Sequence, residues 1–218
     1  MRLYLSSFRN GDHTDRLLGL RRTERDVAVV MNAIDDAPDD VRRESWDGEL
    51  ERLGTLGLRC QEVDLRDHVD DEQGLESRLR DFEVVWVRGG NVFGLRYAIA
   101  RSGADRVFPR LLAEDAMVYA GYSAGPCCLA PSLRGLERCD DIGVIGRLYG
   151  ADAEPVWEGL GVIDEAFVPH LDSPGHPETE LLKPVAEQYA RDGIPHLRLH
   201  DGDVYVVDGD HRELLCTH

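Results

Sequence analysis

The chain of 218 residues is 42% hydrophobic and 31% charged, which is typical of one globular domain with a substantial core and is too short for two domains of full size. Its formal net charge of −17 argues against nucleic acids and anionic lipid surfaces as partners. The five cysteines are odd in number and form no C-x-x-C pair, so neither a disulfide framework nor a zinc site is predicted. No apolar run approaches the roughly 20 residues of a membrane-spanning helix.

The first part of the chain, to about residue 125, alternates apolar, β-branched runs with segments of helical period. This alternation predicts repeated βα units around a mainly parallel sheet. The predicted strands cover residues 2–8, 27–32, 58–63, 84–87 and 117–120, and the predicted helices cover 39–56, 75–80 and 96–113, the last with an interruption near Gly103. Because the first strand lacks the long apolar core of a signal peptide, we expect a cytoplasmic protein.

The second half of the sequence is less regular. The predicted elements are a strand over 160–168, a helix over 178–191, and short strands over 197–200, 204–207 and 213–217. A hairpin-type turn at Asp201-Gly202-Asp203 joins the first two short strands, and Gly209-Asp210 forms a second such turn. We therefore expect residues 1–218 to form a single α/β domain. Its architecture would be a three-layer sandwich with a largely parallel sheet flanked by helices and antiparallel strands near the C-terminus.

The most informative motif is an apolar, strand-like run that ends on Ser123 between two glycines. A serine on a tight strand-to-helix turn crowds its own backbone, so its neighbours must be small, and here they are Gly121, Ala124 and Gly125. The motif predicts a nucleophile elbow, in which the backbone N–H of Ala124 can donate to a developing oxyanion. A Gly/Ser turn that merely leads into a helix is the alternative interpretation.

A serine hydroxyl needs a base within hydrogen-bond reach, and that base needs an orienting partner. Among the eight histidines His170 is the best placed, because it follows the end of an apolar strand. A strand-end histidine bound only to backbone fits its position equally well. Asp201, also at a strand end, is the leading candidate for the orienting carboxylate, although turn formation with Gly202 explains it equally well. Asp140 and Asp141 stay open as further candidates.

Two other patterns bear on the same site. The pair Gly89–Gly90 lets the backbone approach a substrate closely and offers a second oxyanion N–H, while a glycine turn capped by Asn91 is the alternative. Asp172 and His176 follow His170 with a spacing that is ordinary in loops, and no further ligand is evident. No metal site and no cofactor is therefore predicted.

Three segments in order, residues 87–93, 121–125 and 168–170, resemble the signatures of the peptidase E (aspartyl dipeptidase) family. The members of this family are serine peptidases whose fold is related to that of class I glutamine amidotransferases. The resemblance extends over most of the chain, and its specificity comes from the ordered set of segments rather than from any one of them.

The resemblance implies a role for five residues. Ser123 would be the nucleophile and His170 the general base, and the N–H groups of Gly90 and Ala124 would bind the oxyanion. Asp201 would complete the triad at a position where the family has a glutamate. The shorter aspartate side chain reaches less far than a glutamate would.

The chain departs from the family pattern at two places that bear on specificity. Arg88 stands where the family has a further glycine, and no arginine occurs in residues 177–183, downstream of the histidine, where the family's aspartyl specificity uses one. Arg88 and Asn91, on either side of the glycine pair, are the predicted substrate-binding residues. Either Arg88 or another residue recognises an acidic side chain of the substrate, or the enzyme does not prefer aspartate.

The sequence thus predicts a serine-type exopeptidase that hydrolyses short peptides in a dipeptidase-like reaction, with N-terminal Asp-X as one option. Two alternatives stay open: a related amide or ester hydrolase, such as a cyanophycinase-like isopeptidase, and a catalytically silent protein that binds a small ligand in the same crevice. The expected partner is a short peptide substrate, and a homodimer is left open as an assembly.

Overall fold

The computed structural model describes residues 1–217, which contain nine strands and eight α-helices. The strands are β1 (Arg2–Ser6), β2 (Val27–Val30), β3 (Cys60–Glu62), β4 (Val84–Val87), β5 (Val118–Tyr122), β6 (Ala166–Val168), β7 (His196–Arg198), β8 (Val204–Asp208) and β9 (His211–Leu215). The helices are α1 (Thr14–Leu20), α2 (Asp39–Gly54), α3 (Glu72–Leu79), α4 (Val92–Ser102), α5 (Ala104–Ala113), α6 (Ala124–Cys127), α7 (Val144–Tyr149) and α8 (Thr179–Asp192).

Seven strands form the central sheet in the order β3-β2-β4-β5-β1-β8-β9. The first five run parallel, and where β1 pairs with β5, Leu3 lies opposite Tyr119 and Leu5 lies opposite Gly121. β8 and β9 continue the sheet in the antiparallel direction. β6 and β7 pair in parallel as a separate two-stranded sheet. This largely parallel sheet with antiparallel strands near the C-terminus confirms the predicted fold class.

Helices cover both faces of the central sheet. Alternate side chains of β1 enter different cores: Leu3 and Leu5 pack in a cluster with residues of α3, α4, α5 and α8, whereas Tyr4 packs with residues of α1 and α2. The side chains of β2, β4 and β5 divide between the two clusters in the same way. Burial on both faces explains why these strands are continuous apolar runs in the sequence, and it produces the predicted three layers.

Three neighbouring strands end at the same edge of the central sheet. β1 leads into Ser7, β5 leads into Ser123, and β4 leads into the segment Arg88-Gly89-Gly90. Ligands of open parallel sheets bind outside the carboxyl ends of the strands. The fold therefore brings the glycine pair and the serine elbow together, as the sequence pattern predicted.

Several predicted boundaries agree with the structure. β4 coincides with the predicted strand 84–87, and the predicted helical segment 96–113 is interrupted at Gly103. Gly103 has a φ of 79°, a left-handed conformation that favours glycine, and it separates α4 from α5. The turn at Gly209-Asp210 joins β8 to β9, with Asp208 opposite His211.

The predicted hairpin between residues 197–200 and 204–207 is wrong. β7 pairs with β6, whereas β8 joins β1 in the central sheet, so residues 199–203 cross from one sheet to the other. Asp203 holds this crossing, because its buried carboxylate accepts hydrogen bonds from the amides of His200 and Thr217 at 2.8 and 2.7 Å. An Asp-Gly-Asp turn indicates a reversal of the chain but does not indicate which strand is the partner.

The predicted strand over residues 160–168 is shortened to β6. Its first part is hydrogen-bonded to the segment that follows α6 instead: the amide of Leu160 donates to Cys128 O at 2.8 Å, and that of Val162 donates to Leu129 O at 2.9 Å. The short helices α1 and α7 were not predicted. Within residues 1–217, no helix combines the length and the apolar composition that crossing a bilayer requires.

Candidate active site

Ser123 lies on a sharp turn between β5 and α6. Its φ of 53° and ψ of −112° are unusual for a residue with a side chain and are the kind of strain found at functional sites. The flanking glycines are required by close packing: a Cβ on Gly121 would lie 2.1 Å from Val87 O, and one on Gly125 would lie 2.5 Å from the same oxygen. The predicted elbow geometry is therefore present, and the nucleophilic role of Ser123 stays a prediction.

His170 and Asp201 are in direct contact. His170 Nδ1 lies 2.6 Å from Asp201 Oδ1, and the imidazole-bearing residue is 1% exposed. Each residue follows a strand of the small parallel sheet, so the pairing of β6 with β7 carries both to the same edge. Burial alone would raise the pKa of Asp201, but the hydrogen bond and charge of His170 bring that pKa below its usual value. An ionised Asp201 holds a proton on Nδ1 and leaves Nε2 free to act as a base.

Three hydroxyl groups position this pair, and sequence reasoning missed all of them. Ser7 Oγ accepts a hydrogen bond from the His170 amide at 2.8 Å and donates to Asp201 Oδ1 at 3.2 Å. Ser173 Oγ accepts from the Asp201 amide at 2.8 Å, and Thr179 Oγ1 donates to His170 O at 2.7 Å. Ser7 lies inside the first predicted strand, residues 2–8, whereas in the structure it directly follows β1, so the strand-end argument could have found it only with the correct boundary.

Ser123 and His170 line one open cavity of about 380 Å³, a size suited to a small ligand. Gly89, Gly90 and Phe8 also line it. Within residues 1–217 no hydrogen bond joins the Ser123 hydroxyl to His170. Catalytic hydrogen bonds of this kind often tighten only when substrate binds.

The glycine pair lies directly beside Ser123. A Cβ on Gly89 would lie 2.9 Å from Ser123 Cβ, and one on Gly90, whose φ is 146°, would lie 2.5 Å from Ala33 O. The hydrogen bonds of the described chain leave the N–H of Gly90 and that of Ala124 without a protein acceptor. Two free amides beside a strained serine are the arrangement that an oxyanion hole requires.

A buried carboxylate, Glu49 on α2, contacts three residues that line the cavity, Arg52, Arg88 and Tyr122. Its Oε1 accepts hydrogen bonds from Tyr122 Oη at 2.6 Å and Arg52 Nη2 at 2.7 Å, and its Oε2 accepts from Trp86 Nε1 at 3.1 Å. Arg88 Nε lies 3.6 Å from the same Oε1. Arg52 and Arg88 both line the cavity, so two guanidinium groups share one carboxylate there, and Arg9, Glu44 and Glu178 are the other charged residues of the lining. Arg88 was predicted from the sequence as a substrate-binding residue, whereas Glu49 and Arg52 were not predicted.

The other predicted site residues have different contacts. Asp140 accepts a hydrogen bond from the Val92 amide at 2.7 Å, and the exposed Asp141 accepts one from Arg147 at 2.7 Å, so neither orients His170. Burial raises the pKa of Asp140 to about 7, although the Val92 amide opposes this shift. Asn91 was predicted to bind substrate, but its Oδ1 caps α4 by accepting from two helix amides at 3.0 and 2.9 Å. Its Nδ2 donates to Asp141 O at 3.0 Å. The helix cap given as the alternative is therefore present, and substrate binding by Asn91 stays a prediction.

His176, which was predicted to be an ordinary loop residue, lines the same cavity as Ser123 and His170. Its ring stacks on that of His170, with centroids 3.6 Å apart and planes 6° apart. Phe8 meets both rings edge-on, at centroid distances of 5.7 and 5.3 Å. Burial, together with the neighbouring His170, lowers the pKa of His176. Both effects disfavour the protonated, charged form of the His176 ring.

A serine on an elbow near a histidine–carboxylate pair is an arrangement typical of serine-type hydrolases. The model of peptidase family S51 matches residues 45–215, which include the glycine pair, the elbow, His170 and Asp201. The chain belongs to peptidase family S51. The resemblance to peptidase E is thereby confirmed.

Two curated relatives are similar in sequence over part of their length. An uncharacterized peptidase of Listeria monocytogenes is 28% identical over 138 residues, which are 63% of this chain and 62% of that protein. Peptidase E of Streptomyces coelicolor is 29% identical over 141 residues, which are 62% of this chain and 52% of the relative. The matched part thus spans less than two thirds of these relatives.

Two solved structures share the fold. A Listeria monocytogenes EGD-e protein described as a candidate peptidase E has a TM-score of 0.78 at 19% identity, over 100% of this chain and 98% of that one. A peptidase from an acI-B1 actinobacterium has a TM-score of 0.68 at 15% identity, over 99% and 87% of the two chains. At these identities the likeness establishes the common fold.

Proposed function

We propose that the chain is an exopeptidase acting on short peptides, in which Ser123 is the nucleophile and His170, oriented by Asp201, is the general base. The observation that supports this most strongly is the 2.6 Å contact between His170 Nδ1 and Asp201 Oδ1, at the cavity that also contains Ser123. A histidine paired with a carboxylate near a half-buried serine on an elbow is an arrangement that can activate the hydroxyl group.

The proposed reaction has two halves. His170 Nε2 takes the proton of Ser123 Oγ as this oxygen attacks the peptide carbonyl, and the N–H groups of Gly90 and Ala124 stabilise the oxyanion. His170 then gives the proton to the leaving amine, the C–N bond breaks, and an acyl-enzyme remains. A water molecule, deprotonated by His170, attacks the ester, and Ser123 leaves with that proton as the acid product is released.

The two arginines that share Glu49 support recognition of a substrate carboxylate. Arg88 and Arg52 are held in place by Glu49, which is fully buried, and their side chains are 17% and 28% exposed. A preorganised guanidinium binds a carboxylate through two parallel hydrogen bonds. In a dipeptide both the C-terminal carboxylate and an acidic N-terminal side chain lie near the scissile bond, so short peptides suit this placement.

Labelling with a fluorophosphonate probe, followed by peptide mapping, tests the nucleophile. We expect a single adduct on Ser123 that is lost in Ser123→Ala and His170→Ala. The matched control is Ser45→Ala, because Ser45 lines the same cavity but has no histidine partner within residues 1–217. Labelling at Ser45, or no labelling of the folded wild-type chain, would overturn the assignment and favour the catalytically silent binding protein.

A substrate panel then separates the two hydrolase alternatives. We expect free dipeptides to be cleaved faster than longer peptides and faster than β-aspartyl isopeptide substrates. Preferred cleavage of the isopeptide bond would instead identify a cyanophycinase-like isopeptidase with the same catalytic residues.

A further inference from the structure

Ser123 lines two cavities that differ in size and charge. The open cavity, of about 380 Å³, contains Arg52 and Arg88. A second cavity, of about 20 Å³, also reaches Ser123, and the charged residues of its lining are Asp140 and Glu178. Glu178 lines both cavities, so a ligand in the open cavity can contact its carboxylate. The reactive serine therefore has two guanidinium groups in one cavity and two carboxyl groups in the other.

The small cavity has room for one small group only. A cavity needs about 10–15 Å³ to hold one water molecule, and this cavity is only slightly larger. An ammonium group is close to water in size, whereas a further amino-acid residue is far larger. The remaining lining is mostly apolar and includes Val92, Leu136 and Leu182. A terminal ammonium group thus fits here, and a peptide that continues beyond it does not.

The two carboxyl groups of the small cavity have no arginine or lysine partner within residues 1–217. Glu178 forms an ion pair there only with His170, whose Nε2 is 4.0 Å away, and only when the imidazole is protonated. Asp140 Oδ2 accepts a hydrogen bond from the Val92 amide at 2.7 Å. Burial raises the pKa of Asp140 to about 7, and the negative charge of Glu178 adds to this effect. A cation bound beside the two groups would offset their mutual repulsion.

Glu178 lies within reach of the substrate residue that Ser123 attacks. The α-nitrogen of that residue is about 2.5 Å from its carbonyl carbon, which lies about 3–3.5 Å from Ser123 Oγ at attack. An ammonium–carboxylate hydrogen bond spans a further distance of about 2.7–2.9 Å. His170 Nε2 must come within about 3 Å of Ser123 Oγ to act as the base, and Glu178 Oε2 is 4.0 Å from that nitrogen. One substrate residue can therefore bridge Ser123 and Glu178.

We propose that Glu178 binds the free α-ammonium group of the substrate's N-terminal residue in the small cavity, with the Asp140 carboxyl group as a second contact. The position assigned to the substrate rests on the proposed function, in which Ser123 attacks the carbonyl carbon. Hydrolysis is then confined to the first peptide bond, because the small cavity has no room for a preceding residue. A dipeptide complements both cavities, since it carries an ammonium group for the carboxyl groups and a carboxylate for the arginine pair.

Substrates that differ only at the α-position test recognition of the amine. Asp-Leu and Ala-Leu are compared with malyl-leucine and lactoyl-leucine, in which a neutral hydroxyl group replaces the ammonium group. We expect wild type to favour the better dipeptide over its hydroxyl analogue at least about a hundredfold in kcat/KM. Glu178→Gln should lower kcat/KM for the dipeptide at least about tenfold and leave that for the analogue within about twofold.

The comparison of the two substrates separates binding of the ammonium group from an effect on the base. Glu178 is close to His170 Nε2, so a substitution that only disturbs this histidine would slow both substrates by the same factor. Equal losses for both substrates in Glu178→Gln, or equal cleavage of the dipeptide and its analogue by wild type, would overturn the proposal.

Glu44→Gln is the matched control. Glu44 is exposed and lines the open cavity but not the small one, so its substitution removes the same charge from a different place. We expect Glu44→Gln to leave the preference for the dipeptide over the analogue unchanged. If Glu44→Gln removed this preference and Glu178→Gln did not, the ammonium group would bind in the open cavity and the proposed site would be wrong.

Binding to the Ser123→Ala protein distinguishes this proposal from the proposed function. Calorimetric titration with the same four compounds requires no turnover. We expect addition of Glu178→Gln to weaken binding of the dipeptides at least about tenfold and to leave binding of the hydroxyl analogues unchanged. If this difference is found but wild type hydrolyses no peptide, the proposed function fails and the ammonium site stands. If wild type hydrolyses dipeptides and the difference is absent, the ammonium site is wrong and the proposed function stands.

Discussion

His176 covers one face of the His170 ring, with the two planes 6° apart and the centroids 3.6 Å apart. Asp201 fixes His170 Nδ1, so the motion that remains to the ring is tilting out of its plane, and the stack with His176 restricts it. We predict that His176→Ala lowers kcat about tenfold with little change in KM, because the base is less often aligned with Ser123. Steady-state kinetics with a free dipeptide measures both constants.

The control for this prediction is His176→Phe, which keeps an aromatic ring against His170. Its kcat should lie closer to the wild-type value than that of His176→Ala. If the two variants had equal kcat values, or if only KM changed, His176 would not act by aligning the base.

The carboxylate that orients His170 gives the second prediction. Asp201→Asn can present its amide N–H to Nδ1 and so favour the wrong tautomer, and we expect kcat to fall by about 10³-fold to 10⁴-fold. Ser123→Ala and His170→Ala should each abolish turnover, and their effects should not add, because the three residues act as one unit. Melting temperatures should show that each variant is folded.

Asp141→Asn is the comparison for Asp201→Asn. Asp141 is exposed and pairs with Arg147, and its removal should leave kcat within about twofold of wild type. A loss as large as that of Asp201→Asn would transfer the third role to Asp141.

The strand-end residues could be predicted because the sequence shows where strands stop. Gly89, Ser123 and His170 each follow an apolar run, and Asp201 follows a predicted strand of alternating residues. Parallel strands place their carboxyl ends at a common edge, as β4 and β5 do in the central sheet and as β6 and β7 do in the small sheet. The motif around Ser123 also predicts the local geometry, because only glycine fits against Val87 at positions 121 and 125. The positions of these four residues at the ends of strands could therefore be predicted from the sequence.

Two of the residues that were missed, Glu49 and Arg52, have no local signal in the sequence. Glu49 and Arg52 lie in a helix of mostly polar residues, and only the packing of α2 against the sheet shows that Glu49 is fully buried. The partner of β7 was likewise missed, because the hairpin pattern at Asp201-Gly202-Asp203 depends on local residues and the true pairing with β6 does not. Burial and strand pairing are tertiary properties.

Asp140 gives a prediction about stability and pH. Burial raises its pKa from 3.8 to about 7, so between these values the folded chain binds more protons at this group than the unfolded chain does. The contribution of Asp140 to the free energy of unfolding therefore falls as pH rises through this window, by about 1.4 kcal/mol for each pH unit crossed. Asp140→Asn, which can still accept from the Val92 amide, should remove this loss.

Urea unfolding of wild type and Asp140→Asn at about pH 4.5 and about pH 7.5 measures the effect. We expect the variant to gain stability relative to wild type at the higher pH. Comparison at each pH cancels the contributions of other carboxyl groups. A difference between the two proteins that does not change with pH would show that Asp140 titrates normally.

The last prediction concerns the carboxylate that the arginine pair binds. Arg88 and Arg52 share Glu49 at the cavity floor, and we expect Arg88→Met and Arg52→Met each to raise KM about tenfold or more for the substrates they recognise. The effects of the two substitutions should not add, because both guanidinium groups contact the same Glu49 carboxylate. Arg9→Met is the control, since Arg9 lines the same cavity but packs on the Phe8 ring instead of Glu49.

Kinetics on Asp-Leu, Ala-Leu, Arg-Leu and Ala-Leu amide then identify the carboxylate. If the arginine pair binds an acidic side chain of the substrate, only KM for Asp-Leu rises in the two variants. This is the result expected if Arg88 replaces the arginine that is missing from residues 177–183. If it binds the free C-terminus, KM rises for all three free dipeptides, and Ala-Leu amide, already a weak substrate, is insensitive to both substitutions. A third outcome is that Asp-Leu is the preferred substrate and yet is cleaved equally well by both variants. That result would contradict binding of either carboxylate by the arginine pair and would require a different cation for the acidic side chain.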